Sequence, residues 1–348
     1  MKKALLIIAI MLGSMTAFAQ NLDKNEAKQL KAFLAEPTKE GTNAEALRVT
    51  NFPTIEGLTI ENGHVTAIDW KDKKLAGTLD LSGFKYLTKV DVSRNELKAM
   101  SLTNCSALTS VNAGRNKLTD IDLDGCTNLQ DVKVYKNRLT EISLSNTPLL
   151  KNLNVSNNLF AELSLANSYN LQTLNCQGCH IEVLDISGCT ALKNLYAGYN
   201  KLTQITLAGV ENLQNLNVDD NEISTFIVSG LNGLSSLICS DNNMVTLGLR
   251  NCDNLLDLVC SYNDLTSLSI ENCPQIQYID CSYNDLTQLQ LDNLTFLQRL
   301  LCNNNQLTML DVSFDSNLVY INCRYNQITD FRTVACNSLR MVACQWNY

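Results

Sequence analysis

The sequence predicts a curved, right-handed solenoid, mainly parallel β with little helix on its convex side, preceded by a small N-terminal cap of helix and β-hairpin. Three observations predict it. A leucine or isoleucine recurs every 21 residues without slippage, at Leu87, Leu108, Leu129, Leu150, Leu171, Leu192, Leu213, Leu234, Leu255, Ile276, Leu297, Leu318 and Leu339. An asparagine stands eight residues after each start, from Asn95 to Asn347, with Cys179 as the one exception. Between the two, apolar and variable residues alternate as they do along a half-buried strand. A fixed period near 20 residues marks stacked coils, each burying its apolar face only against its neighbours.

Residues 1–19 come first. Two lysines, an apolar run over residues 4–12 and Ala17-Phe18-Ala19 have the pattern of an export signal cleaved near Ala19. The first cysteine is Cys105, so the pattern is not that of a lipoprotein, and no other stretch approaches the ~20 apolar residues of a transmembrane segment. Residues 20–86 form the expected cap. Residues 21–37 read as a helix capped by Asn21 or Asp23, with Ala27, Leu30, Phe33 and Leu34 on one face and Pro37 past its end. Residues 58–60 and 65–70 flank Asn62-Gly63, the signal of a tight hairpin. Residues 70–84 read as a degenerate first coil. Together these elements would cover the open end of the apolar core.

Residues 87–348 hold twelve full repeats and a partial thirteenth. Residues 108–128, LTSVNAGRNKLTDIDLDGCTN, show the unit, with apolar side chains at positions 1, 4, 6, 11, 14 and 16. Positions 4 to 6 predict one strand per repeat in a parallel sheet, which at ~4.8 Å per strand spans roughly 60 Å. Position 9 turns inward. Its amide has two donors and an acceptor, enough to satisfy the backbone of the turn and to bond the loop of the next coil. About ten residues remain for the outer side, too few for a helix with two turns, so extended or 3₁₀ segments are expected there. The last repeat reaches only Tyr348. Its Leu339, Val342 and Cys344 would present an open end suited to end-to-end self-association, unless Trp346 and Tyr348 fold back as a lid.

This pattern resembles the leucine-rich repeat family, whose signature L-x-x-L-x-L-x-x-N/C-x-L is matched by Leu150, Leu153, Val155, Asn158 and Phe160. The resemblance covers residues 87–348. The tail of the unit, I-D-L-S-G-C and its variants, resembles the short repeats of bacterial secreted and surface proteins, and residues 20–86 resemble their amino-terminal cap. The resemblance implies a leucine-rich-repeat solenoid that recognises a protein or glycan on its concave side, a host or other extracellular component among the candidates.

Fourteen cysteines in an exported chain ordinarily signal disulfides. The register argues for free thiols instead. Seven occupy position 6, six occupy position 19, and Cys179 stands in the asparagine column, so every one falls on an inward slot where it acts as a small apolar residue. Position-6 thiols in adjacent coils would lie within bridging range, but their parallel Cβ bonds suit stacking better. Cys176, Cys179 and His180 match the haem-attachment spacing, yet haem there would displace packed core, and the alternation of inward and outward positions disfavours zinc. No cofactor is expected.

Two histidines, His64 and His180, and the lack of a nucleophile motif or phosphate loop point away from an enzyme. Asp219, Asp220 and Asp241 stand on successive turns and read as a solvated acidic rim ahead of a calcium site. Without Lys2 and Lys3 the 27 basic residues become 25 against 35 acidic, a net charge of −10, which argues against nucleic acid. Specificity falls to the variable positions 3, 5, 7 and 8. Early repeats place Lys89, Arg94, Arg115, Lys133, Tyr135 and Lys136 there. Later ones place Tyr196, Tyr199, Ile238, Val259, Tyr262, Tyr278, Tyr283, Leu301, Tyr320, Tyr325 and Trp346. Tyrosine and tryptophan give large contact area at low entropy cost, so this set is the candidate ligand-binding face. Three functional classes follow: an exported or surface protein that binds a protein or glycan, a structural or assembly element of the cell envelope, and a carbohydrate binder using the stacked tyrosines.

Overall fold

The computed structural model describes residues 22–292, 294–313, 315–334 and 336–347. The export-signal pattern, Asn21 and Tyr348 lie outside them. The chain forms two compact units. The first runs to Phe160 and includes Ala166–Ser168; the second comprises Ala161–Leu165 and the chain from Tyr169. Each is a β-solenoid of 21-residue coils.

In the first unit Asp23 caps helix α1 (Lys24–Ala35), its Oδ1 accepting from the backbone N–H groups of Asn25 and Glu26 at 2.9 and 3.2 Å. Leu30, Phe33 and Leu34 are buried, and Phe33 stacks on Trp70 with ring centroids 5.8 Å apart. Glu26 is buried beside them, which the apolar pattern of the helix did not reveal. Its carboxylate accepts from Val65 N at 2.8 Å and lies 3.1 Å from His64 Nδ1. Helix α2 (Asn43–Ala46) opens on a capping box between Thr42 and Glu45. The hairpin pairs Leu58–Glu61 with His64–Asp69, and Asn62 and Gly63 take φ of 52° and 79°, the left-handed pair that a two-residue turn requires.

The repeats pair in parallel, one coil per register step. In the first unit Lys89 lies opposite Ser110, Ser110 opposite Asp131 and Asp131 opposite Asn152. In the second the row is Asn194, Asn215, Ser236, Asp257, Tyr278, Arg299, Tyr320 and Met341. Each strand is three residues long, and in all but the last, Met341–Ala343, the middle side chain is buried, as at Val111 and Leu258. The leucines at positions 1, 4 and 11 are sealed off almost everywhere, each contributing about 1.5–3 kcal/mol.

One strand per repeat is too few. Several coils carry a second, outer strand. Ala76–Asp80, Glu96–Ser101 and Asp120–Asp122 pair in the first unit. In the second, Thr225–Ser229, Thr246–Arg250 and Ser267–Glu271 form one parallel sheet, and Met309–Asp311 pairs with Asp330–Arg332. Positions 14 and 16 alternate apolar and polar like a strand, and where adjacent coils run extended together their backbones bond. No helix follows α2 among the described residues.

The asparagine column is a hydrogen-bonded ladder. Asn263 Nδ2 donates to the carbonyls of Cys239 and Cys260 at 3.1 and 3.2 Å, and its Oδ1 accepts from Met244 N at 3.1 Å. Asn116, Asn137, Asn221, Asn284 and Asn326 repeat this pattern. The bonds reach back to the preceding coil, not forward to the next as the sequence suggested. The loop N–H at position 11 of an asparagine's own coil is already taken by the asparagine that follows it, so only the preceding coil offers that donor.

All fourteen cysteines are unbridged. Two depart from the expectation of inward slots: Cys336 is partly exposed and Cys344 is exposed, because Cys344 lies in the last described coil and has a neighbour on one side only. The position-19 thiols also do more than fill space. Cys105, Cys126 and Cys336 donate to the carbonyls of Leu81, Leu102 and Val312 at 3.1, 3.1 and 2.8 Å. Each reaches 24 residues back, the same step that the asparagines span.

Candidate binding face

The exposed side of the strands is built from positions 3, 5, 7 and 8. Position 8 is where the chain leaves the strand for the asparagine turn, and it is left-handed throughout. In the first unit φ is 60° at Arg94, 58° at Arg115, 54° at Lys136 and 55° at Asn157. In the second it is 54° at Tyr199, 50° at Asp220 and Asp241, 54° at Tyr262 and Tyr283, 56° at Asn304, 53° at Tyr325 and 64° at Trp346. The backbone enforces this. Most position-8 N–H groups donate to the position-7 carbonyl of the next coil, as from Arg115 to Tyr135 at 2.7 Å and from Tyr283 to Asn303 at 2.9 Å. The left-handed region suits Gly or Asn and costs other residues roughly 1 kcal/mol or more. Five aromatic side chains nevertheless occupy it in the second unit.

These aromatics associate along the column. Tyr262 and Tyr283 stack face to face with centroids 4.3 Å apart and planes within 8°. Tyr325 and Trp346 stack at 5.8 Å and 5°. Partial burial, then the neighbouring Tyr283 hydroxyl, hold the Tyr262 phenol above its ordinary value. Trp346 is 71% exposed on Tyr325, so it is not the lid over the core that the sequence allowed. In column 3 the Arg299 guanidinium lies between the Tyr278 and Tyr320 rings, 5.8 and 5.4 Å from their centroids. Its part in that sandwich was missed because Arg299 is a lone charge in sequence, and only the register places it between two rings. Column 5 carries Tyr196, exposed, and Ile238, Val259 and Leu301, half-buried. All eleven sequence candidates therefore lie on the second unit with accessible side chains. They fall into separate columns, with Tyr199 divided from Tyr262 by Asp220 and Asp241.

The acidic residues between them are electrostatically uncomfortable. Burial, and then Asp220, push the Asp219 carboxyl up, and burial with Asp220 does the same at Asp241. Among the described residues no three metal-binding side chains converge. Cys176 and Cys179 are buried while His180 is exposed. Burial pushes the Cys105 and Cys281 thiols up to about 12, which suppresses thiolate chemistry there. A further acid hides in position 19. Asp315 is 2% exposed, one carboxylate oxygen lacks a partner, and burial together with Asp292 and Asp311 pushes it up to about 7.

No family model and no curated protein matches the chain. Solved structures do. The functional domain of InlJ from Listeria monocytogenes, which includes a cysteine ladder, is 25% identical over 76% of this chain and 69% of its own, with a TM-score of 0.53. A leucine-rich-repeat protein of Leptospira interrogans is 19% identical over 87% of both chains, TM-score 0.56. An internalin of Listeria monocytogenes is 20% identical over 93% of this chain and 96% of its own, TM-score 0.51. With the 21-residue coils and the asparagine ladder, these likenesses show that the chain has the leucine-rich-repeat fold, a β-solenoid with little helix.

Proposed function

We propose that the chain is an exported, non-enzymatic bacterial binding protein, and that the exposed strand face of its second unit takes a protein or glycan ligand. One observation carries this reading. Large aromatic side chains occupy the left-handed column, where backbone energetics favour Gly and Asn, and they are held at the surface in place of the core. Residues kept in unfavourable conformations concentrate at functional sites, and exposed aromatic clusters concentrate at interfaces. The export-signal pattern of residues 1–19 supports secretion or surface display. No helix among the described residues is long and apolar enough to cross a membrane.

Capture from an extracellular protein extract and from a glycan array, with the wild type beside Tyr278→Ser/Tyr320→Ser, tests the reading. Both tyrosines are half-buried against Arg299 and outside the core. The double variant should stay folded and lose captured ligand. Unchanged capture would move the site to the basic column of Arg94, Arg115 and Lys136.

A further inference from the structure

The same three coils carry two Tyr–X–Tyr rows. In column 3 the row is Tyr278, Arg299 and Tyr320, and the middle side chain fills the gap between the rings. In column 8 the row is Tyr283, Asn304 and Tyr325. Tyr283 has one face on Tyr262, and Tyr325 has one face on Trp346. Their remaining faces look toward the intervening coil, two strand spacings or roughly 10 Å apart. Asn304, half-buried, is too short to fill that gap and forms its floor. The protein thus shows in column 3 what the spacing accepts, a group 5.4–5.8 Å from each ring, and at the equivalent place in column 8 carries only the shorter Asn304.

We propose that the slot between Tyr283 and Tyr325, above Asn304, binds one pyranose ring of a glycan. The inference rests on the binding-face reading and narrows its ligand class. The planar Arg299 guanidinium, 5.4–5.8 Å from its two rings, sits beyond close contact with either, so a gap of this width holds a flat group loosely and suits a thicker chair. A pyranose with all-equatorial substituents turns axial C–H bonds to both faces, the electropositive complement of two π faces. Its hydroxyls then point around the rim. There the amides of Asn303, Asn304 and Asn322 offer both donors and acceptors. Asn322 Nδ2 donates to Asn303 Oδ1 at 2.8 Å, which fixes the orientation of that pair. Arg324, whose Nε donates to Gln345 Oε1, stands beside Tyr325 at position 7 and adds positive charge near the slot, which disfavours a cationic guest such as the arginine of a protein ligand. Sugars with an axial hydroxyl would press it against one ring and bind more weakly.

The test uses the full chain and saturation-transfer NMR with three probes: methyl β-glucoside, methyl α-mannoside and methylguanidinium. Two variants accompany it. Asn304→Tyr fills the slot with a residue the column already carries at neighbouring coils, and Tyr325→Ser removes one wall. Thermal unfolding confirms that each is folded. Methyl β-glucoside should bind the wild type, roughly tenfold more tightly than the mannoside, and lose about tenfold or more in either variant. Three results would overturn the proposal: no transfer to either sugar, glucoside binding that survives Asn304→Tyr, or a preference for methylguanidinium. None of them bears on the capture experiment with Tyr278→Ser/Tyr320→Ser, which tests the wider face separately.

Discussion

The two units share a backbone and differ in what they hang on it. Both use the same left-handed position 8, with φ of 54–60° at Arg94, Arg115 and Lys136 and 50–64° from Tyr199 to Trp346. Both use the same asparagine ladder beneath it. Yet the first unit fills the column mostly with cations, Asn157 apart, and the second mostly with tyrosine, tryptophan and aspartate, Gly178 and Asn304 apart. The interiors differ as well. Position 6 is Val92, Ala113, Val134 and Val155 in the first unit but mostly cysteine in the second, from Cys176 to Cys344. The scaffold is therefore indifferent to its exposed column and tolerant of any small apolar residue in its core column. Stability resides in the ladder and the leucines; identity resides in position 8.

That division is open to attack at the ladder first. Asn263→Ala in the second unit should destabilise by about 3 kcal/mol, because it strips Met244 N of its acceptor and two buried carbonyls of their donor. Asn116→Ala in the first unit should lower stability comparably, since its bonds have the same geometry. Denaturant unfolding measures both. A several-fold difference between them would mean that the units do not share one source of stability.

Asp315 is the sharpest asymmetry inside the core, since no other acid stands in its column in either unit. Its folded value, pushed up to about 7, lies above that of an ordinary carboxyl, so the folded chain holds the proton more tightly than the unfolded one. Its contribution is complete below pH ~4 and is lost as pH rises toward 7. Asp315→Asn should raise stability at pH 8 by on the order of 2 kcal/mol and leave it unchanged at pH 4. Hydrogen exchange should place the gain in the second unit. A gain equal at both pH values would show that the carboxylate finds a partner.

The thiols offer a smaller effect. Cys126→Val keeps the volume but removes the donor to Leu102 O, and should cost about 1 kcal/mol. Cys252→Val should cost less, since its sulfur lies 3.6 Å from Arg250 O and 4.0 Å from Val228 O, both longer than the 3.1 Å of Cys126. Without denaturant or reductant, maleimide should label Cys344 and Cys336 and spare the buried twelve. The least change of all is expected at position 8 itself. Arg94→Asn and Tyr262→Asn should each shift stability by about 0.5 kcal/mol, in the stabilising direction, because Asn recovers only part of the cost of the left-handed backbone and loses the contacts of the longer side chain. A clear loss at Tyr262 alone would assign part of the fold's stability to the aromatic stack.

The register was fully legible in the sequence because the leucine and asparagine columns obey one period, and burial follows directly from them. The helix, with Asp23 at its start, and the Asn62-Gly63 turn were legible for the same local reasons. What the period conceals is direction. A column of asparagines looks identical whether each bonds forward or back, and only the location of the position-11 N–H decides it. The outer strands were hidden because they depend on adjacent coils running extended together. Glu26 was hidden because a carboxylate in the first turn of a helix normally faces water, whereas His64 and Val65 N receive this one. For the candidate face, the residues were legible but their grouping was not. Tyr278, Arg299 and Tyr320 share a column, Tyr283, Asn304 and Tyr325 share another, and only stacking tells a filled gap from an open one.

The backward reach of each asparagine makes the coil a self-contained module. A duplicated 21-residue segment brings its own strand, its own leucines and the amide that fastens it to whatever precedes it, while its position-11 N–H receives the amide of whatever follows. Copying or deleting one coil therefore leaves no backbone group orphaned. It does move every side chain beyond it by one strand spacing relative to those before. The exposed column works as a ruler graduated in steps of roughly 5 Å. Loss of the coil that carries Asn304 would close the Tyr283–Tyr325 gap in a single event, and gain of another would widen it past any single ring. Ligand preference in such a chain can change by whole-module copying with no substitution at all.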